Sequence, residues 1–109
     1  MSYNVKSISV FEKQAKRLLK KYPSLKTEIQ ILVQALKEEP RFGTSIGRNC
    51  YKIRIAIASK GKGKSGGARV LTNVVVLEQT VYLLSIYDKS EIDNITDGEL
   101  TWLLSFIPS

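Results

Sequence analysis

The chain has 109 residues, 43% hydrophobic and 25% charged, which suits one domain with a core of its own. Seventeen Lys+Arg against ten Asp+Glu give a formal charge of +7 and a pI near 9.6, so the expected partners are polyanions: nucleic acid, an acidic protein or an anionic membrane surface. With no histidine and one cysteine, Cys50, the composition excludes Ser-His and Cys-His nucleophilic pairs, argues against a zinc site and rules out an internal disulfide framework.

No apolar run approaches the ~20 residues of a membrane-spanning helix. The opening Met-Ser-Tyr-Asn-Val-Lys-Ser-Ile lacks the apolar segment of a secretory signal. The expected setting is therefore the reducing cytoplasm, with no membrane partner.

Taken in order, Val5 to Val10 is short and β-branched and reads as a first strand. Ser9-Val-Phe-Glu12 matches a capping box, with Ser9 as N-cap. A helix should run from there to about Tyr22, with Phe11, Ala15, Leu18, Leu19 and Tyr22 on one face and Lys13, Lys16, Arg17, Lys20 and Lys21 on the other. Pro23 ends it, because the residue before proline is pushed out of the α region. Ser24 can cap a second helix, striped by Leu25, Ile29, Leu32, Val33 and Leu36 and stopping before Pro40. Two helices joined so tightly should form an antiparallel hairpin.

Arg41 to Gly47 reads as a loop. The period then changes to two. Tyr51, Ile53, Ile55 and Ile57 alternate with Lys52, Arg54, Ala56 and Ala58, the pattern of a half-buried strand. Its apolar face should cover the helical hairpin, and its other face displays Lys52 and Arg54, ~7 Å apart at strand rise. Ser59 to Gly67 carries four glycines and three lysines and reads as a flexible basic loop. Ala68 to Leu77 and Val81 to Tyr87 are strands joined by a turn at Glu78-Gln79-Thr80, giving an antiparallel meander. Thr96-Asp-Gly-Glu99 is a second capping box, and Leu100, Leu103, Leu104 and Ile107 follow on one helical face. The expected order is β-α-α-β-β-β-α, one α+β domain over residues 1–109.

The charge is local. Arg48 to Arg69 holds seven cations (Arg48, Lys52, Arg54, Lys60, Lys62, Lys64 and Arg69) and no acid, while the other residues sum to zero. One reading is a solubilising loop beside lysines snorkelling along a strand. The other is a phosphate-binding surface, on which Arg54 and Arg69 can fork onto phosphate oxygens. Tyr51 and Tyr87 border the stretch, either as base-stacking rings or as packed strand tyrosines. Gly63-Lys64-Ser65 resembles the end of a P-loop, but Ala58 stands where the first glycine belongs and a strand follows where a helix is required. Cys50 reads as a small apolar residue.

The element order, with Tyr51-Lys52-Ile53-Arg54, Gly66-Gly67-Ala68-Arg69-Val70 and Tyr87-Asp88-Lys89-Ser90-Glu91, resembles the RelE/ParE superfamily of bacterial toxins, most closely its RelE-like and HigB-like branch, from Phe11 to about Leu104. The resemblance implies a small twisted, mostly antiparallel sheet with an N-terminal helical hairpin on one face and a C-terminal helix. It implies the toxin of a type II toxin–antitoxin pair that cuts mRNA in the ribosomal A site, touching rRNA as well. Its cognate antitoxin would be a helix-turn-helix or RelB-like protein, and operator DNA would be met only through that antitoxin. By position, Lys52 and Arg54 match the family's paired basic residues, and Arg69 matches the arginine opening the next strand. Lys89 and Ser90 fall where a basic residue often follows the last strand. The C-terminal tyrosine of some members aligns with Thr96, which leaves Tyr87 as the nearest substitute.

On that resemblance the reaction is attack of the RNA 2′-hydroxyl on the neighbouring phosphate, with no cofactor or metal. Arg54 and Arg69 are the candidates for stabilising the phosphorane. Lys52 or Lys89 are the candidates for proton transfer, with Tyr87 and Glu91 as alternatives. Arg48, Lys60, Lys62 and Lys64 are expected to grip RNA backbone. Two alternatives stand: a ParE-like gyrase poison that cuts no RNA, and a non-catalytic nucleic-acid-binding module.

Overall fold

A computed structural model describes residues 2–61, 63–92 and 94–108, without the side chains of Lys64 and Ser65. Five strands form one sheet in the order β1-β5-β4-β3-β2. They are β1 (Asn4–Ser7), β2 (Thr44–Gly47), β3 (Cys50–Ile55), β4 (Ala68–Val75) and β5 (Thr80–Asp88). β1 runs parallel to β5, and every other pair is antiparallel. The helices are α1 (Ser9–Lys21), α2 (Leu25–Glu38) and α3 (Asp97–Leu104).

The expected α+β architecture is present, with one added strand. The loop expected over 41–47 contains β2, which pairs with the start of β3. Thr-Ser-Ile-Gly is too short to show a period of two. What fixes it is the turn: Arg48 and Asn49 both take left-handed backbone angles, φ 55° and 58°, as a tight two-residue hairpin requires. The buried amide of Asn73 holds that turn from β4, its Nδ2 donating to the carbonyls of Arg48 at 3.0 Å and Asn49 at 3.3 Å.

Layering explains the burial. α1 buries Phe11, Ala15 and Leu18, and α2 buries Leu25, Leu32 and Leu36. The hairpin they form covers the face that carries Ile53, which lines a recess with Leu32 and Ala35. α3 covers the other face: Leu100 shares a recess with Ile46 and Lys52, and Leu103 shares one with Ser85 and Tyr87. The central strands β4 and β5 are thus buried on both sides, and the polar residues within them, Arg69, Thr72, Asn73, Thr80, Ser85 and Asp88, are buried with the rest. β1 ends where the Ile8 N–H donates to Leu83 O at 3.2 Å. Beyond it, Gln14 of α1 serves the open edge of β5, its Oε1 accepting the Ile86 N–H at 3.1 Å and the Ser85 hydroxyl at 2.9 Å.

Gly67 admits no side chain, because a Cβ there would fall 2.1 Å from the Ile55 carbonyl oxygen. The absent Cβ lets the chain entering β4 lie close against β3.

Three local expectations are corrected. Ser9 does not cap α1: the N-cap is Ile8, and Glu12 instead accepts from the Ser7 hydroxyl at 2.7 Å. Ser24 precedes α2 in a helical conformation and makes no side-chain cap; its hydroxyl is buried without a partner among the described residues. Residues 59–67 are not wholly irregular, since short 3₁₀ turns run over Ala58–Lys60 and Gly63–Gly66. The capping box at the last helix is present, with the Glu99 N–H donating to Thr96 Oγ1 at 3.1 Å and the Thr96 N–H donating to Glu99 Oε1 at 3.3 Å.

Candidate nucleic-acid interface

The register aligns three of the expected residues in one row. Arg54 pairs with Arg69 across β3 and β4, and Arg69 pairs with Tyr87 across β4 and β5. Directly opposed residues of antiparallel strands point to the same face, their Cβ atoms ~5 Å apart. Two guanidinium groups and a phenol therefore occupy one band. Lys52 lies one alternation along β3, half-buried, in the neighbouring row with Leu71 and Ser85. Lys89 joins from beyond β5: its N–H donates to Gly67 O at 3.1 Å, which sets it beside the start of β4, two residues before Arg69.

The band is graded in exposure. Arg54, on β3, is exposed, whereas Arg69 keeps 4% of its surface and Tyr87 3%. Arg69 Nη1 donates to the Ala68 carbonyl at 3.1 Å. Burial lowers its pKa from the usual guanidinium value, and the charge of Arg54 lowers it further. Burial raises the pKa of Tyr87; Arg69 opposes that rise and Glu99 of α3 adds to it. The Tyr87 hydroxyl has no hydrogen-bond partner among the described residues. Tyr87 lines a recess of about 60 Å³ with Gln14, Ser85, Glu99, Trp102 and Leu103.

Other expected residues are engaged elsewhere. The Arg48 guanidinium reaches α3, donating to Thr101 Oγ1 at 2.8 Å and to the Asp97 carbonyl at 3.3 Å. Lys60 Nζ lies 2.6 Å from Asp88 Oδ1 and 3.3 Å from Ser90 Oγ. Lys62 and the side chain of Lys64 lie outside the described residues. Glu91 pairs with Arg17 at 3.6 Å on the surface. Tyr51 is on the helical-hairpin face by alternation with Lys52, and its hydroxyl accepts from Arg41 Nη1 at 3.2 Å. It therefore does not share the band with Tyr87.

Asp88 was not among the expected site residues, yet it anchors the region. It is 1% exposed and accepts from Lys60, from the Tyr22 hydroxyl at 3.2 Å, and from the N–H and hydroxyl of Ser90 at 2.9 and 2.8 Å. Burial alone would raise its pKa; the Lys60 and Ser90 bonds outweigh that and hold it at about 2. The signal in the sequence was an acid closing a long apolar strand, where a carboxylate persists only if paired.

Chemically, the band offers donors and cations. Among the described residues no three of Cys, Asp and Glu gather to hold a metal ion. Such a surface suits an anion with several oxygens, and it places a phenol beside the Arg69 guanidinium, with Arg54 one strand further on.

The family described as the RelE toxin of the RelE/RelB toxin–antitoxin system matches residues 8–106. Among solved structures, an arginine-substituted mutant of E. coli toxin RelE in the free state superposes with a TM-score of 0.59 at 17% identity, covering 97% of this chain and 94% of that one. The toxin–antitoxin complex RelBE2 from Mycobacterium tuberculosis gives 0.61 at 18% identity, covering 81% and 92%. The E. coli RelE mutant bound to an antitoxin RelBc peptide gives 0.56 at 23% identity, covering 89% and 98%.

Proposed function

The chain belongs to the RelE toxin family of the RelE/RelB toxin–antitoxin system, and from that premise we propose that it is an endoribonuclease that blocks translation by cutting mRNA on the ribosome. The observation that carries the reading is the row Arg54–Arg69–Tyr87, with Lys52 and Lys89 at its margins. Cations and a neutral proton donor are what a metal-free phosphodiester cleavage needs.

In this mechanism the substrate supplies its own nucleophile. The 2′-oxygen attacks the adjacent phosphorus in line, its bond to phosphorus forms as the P–O5′ bond breaks, and the products are a 2′,3′-cyclic phosphate and a 5′-hydroxyl. Arg54 and Arg69 bind the non-bridging oxygens and stabilise the charge that grows there, which is worth most from fixed donors in a site that excludes water. Tyr87 stays protonated, because burial disfavours its phenolate, and it gives a proton to the leaving 5′-oxygen. Lys52 or Lys89 takes the proton from the 2′-hydroxyl.

Partners follow from the same reading. mRNA in the ribosomal A site and neighbouring rRNA are the polyanions, and a RelB-like antitoxin is the protein that restrains the toxin. The described residues contain no helix long and apolar enough to cross a membrane, and the cytoplasm is the setting this function requires.

The test is a translation reaction programmed with a defined message, with and without the protein. Fragments ending in 2′,3′-cyclic phosphate, formed only when the message is on ribosomes, are the expected outcome. Intact message in an inhibited reaction would overturn it.

A further inference from the structure

We propose that Asp88 and Lys60 are positioning residues of the cleavage site: their ion pair, behind the sheet, fixes the basic loop and Lys89 against the start of β4 without touching RNA. The inference rests on the RNA-cleaving reading given above. It takes Lys60 out of the set of cations that grip RNA.

Placement is the first observation. Asp88 stands in the chain between Tyr87 and Lys89, and it pairs with Ala68, the residue before Arg69. Alternation puts its side chain on the face opposite the Arg54–Arg69–Tyr87 row. There the Tyr22 hydroxyl, at the end of α1, donates to it at 3.2 Å. A group on that face stands away from a phosphate bound to the row, and acts on the row only through the backbone it shares with Tyr87 and Lys89.

Occupancy is the second. Lys60 Nζ reaches Asp88 Oδ1 at 2.6 Å and Ser90 Oγ at 3.3 Å, and it lies 5.6 Å from the centre of the Tyr22 ring. Its side chain is 19% exposed. An ammonium has three donors, and this one already faces a carboxylate, a hydroxyl and a ring. A phosphate would have to displace Asp88, which would then be left buried without its cation.

Connection is the third. Lys60 ends the 3₁₀ turn Ala58–Lys60, its N–H donating to Ile57 O at 3.0 Å. The ion pair therefore ties the loop that leaves β3 to the end of β5. The far end of the same loop is tied there too, by the Lys89 N–H on Gly67 O at 3.1 Å. The two ties bracket the basic loop and give Lys89 one position relative to Tyr87. Apolar side chains of similar size would hold the fold as well as a buried ion pair does. What the carboxylate adds is direction, since its bonds to Lys60, Tyr22 and the N–H and hydroxyl of Ser90 allow one arrangement of those partners. Displacing a reacting group by ~1 Å costs up to about a hundredfold in rate.

The test uses the full chain and Lys60→Met, which removes the ammonium and keeps most of the stem. Amide hydrogen exchange read by NMR reports the tie at Lys89, with the Val74 N–H, bonded to Asn49 O at the other end of β4, as the control for an intact fold. Single-turnover cleavage of a defined message on ribosomes, over a range of protein concentrations, gives the maximum rate and the half-saturating concentration. The Lys89 amide should exchange at least severalfold faster while Val74 is unchanged. The maximum rate should fall roughly ten- to a hundredfold, with the half-saturating concentration within twofold of the parent. Unchanged exchange at Lys89 overturns the proposal, and so does an unchanged maximum rate, which would leave the pair a role in the fold alone. A raised half-saturating concentration also overturns it, because Lys60 would then be holding RNA. If Lys60→Met loses protection at Val74, Tyr22→Phe, which withdraws one donor from Asp88 on the helical side, is read by the same criteria. If the parent protein cuts no message, the RNA reading fails, and exchange alone decides the tie: acceleration at Lys89 sustains it and equal rates overturn it.

Discussion

Arg54 and Arg69 stand directly opposite each other on adjacent antiparallel strands, an arrangement that folding alone does not favour. Like charges facing across a ladder destabilise it by roughly 0.2–1 kcal/mol, and desolvation of Arg69 adds to that burden. Arg54→Ala should therefore raise the melting temperature by about 2–5 °C while removing toxicity. Thermal unfolding followed by circular dichroism, beside a growth assay, checks both halves. A variant that is less stable and still toxic would show that the pair serves the fold.

Tyr87→Phe separates chemistry from packing. The hydroxyl is buried without a partner among the described residues, so removing it should leave stability unchanged or slightly higher. If the phenol protonates the leaving oxygen, single-turnover cleavage should fall about a hundredfold or more. Denaturant unfolding and a cleavage time course on one preparation measure the two effects, and undiminished cleavage would exclude Tyr87 as the acid.

Asp88 gives the fold an acid limit. Its carboxyl sits near pH 2 in the folded chain, below the ordinary value of ~3.9 for an unfolded aspartate. A depressed folded value means a contribution that is complete above about pH 4 and is lost as pH falls toward 2, of order 2 kcal/mol. Asp88→Asn should lower stability at pH 7 and flatten the acid limb between those values. Urea midpoints measured from pH 2 to 7 test this, and an unchanged acid limb would contradict it.

Asn73→Ala should be costly although the residue lies outside the row. Its amide satisfies two carbonyls of a turn in which neither left-handed residue is glycine. The carbonyls are part-buried and Asn49 O keeps the Val74 N–H at 2.8 Å, so the loss should be about 1 kcal/mol. Asn49→Gly should act oppositely, relaxing the turn by up to about 1 kcal/mol. Chemical denaturation of both variants reads the two signs, and a loss in both would place the strain elsewhere.

What the sequence made legible was whatever repeats within a few residues. The alternation from Tyr51 to Ile57 assigned Lys52 and Arg54 to the face away from the helical hairpin, and Thr96 with Glu99 announced the last helix. Register was not legible. Fifteen positions separate Arg54 from Arg69, and their alignment depends on how residues 58–67 close between β3 and β4. Pairings over long separations were equally hidden: Lys60 with Asp88, and Arg48 with Thr101. Both cations look free when only the chain around them is read. The caps expected at Ser9 and Ser24 failed because a serine near a helix start becomes a cap only if its backbone is extended there. Ser9 is already helical, and Ser24 takes φ −61° and ψ −21°.

The most direct test of the central claim is primer extension on an abundant message after induced expression in growing cells, with Arg69→Ala as the comparison and circular dichroism to confirm that the variant is folded. The account predicts discrete cuts within translated codons, absent from untranslated regions and lost with the substitution. Growth arrest with intact messages, or identical cuts from the Arg69→Ala protein, would contradict it.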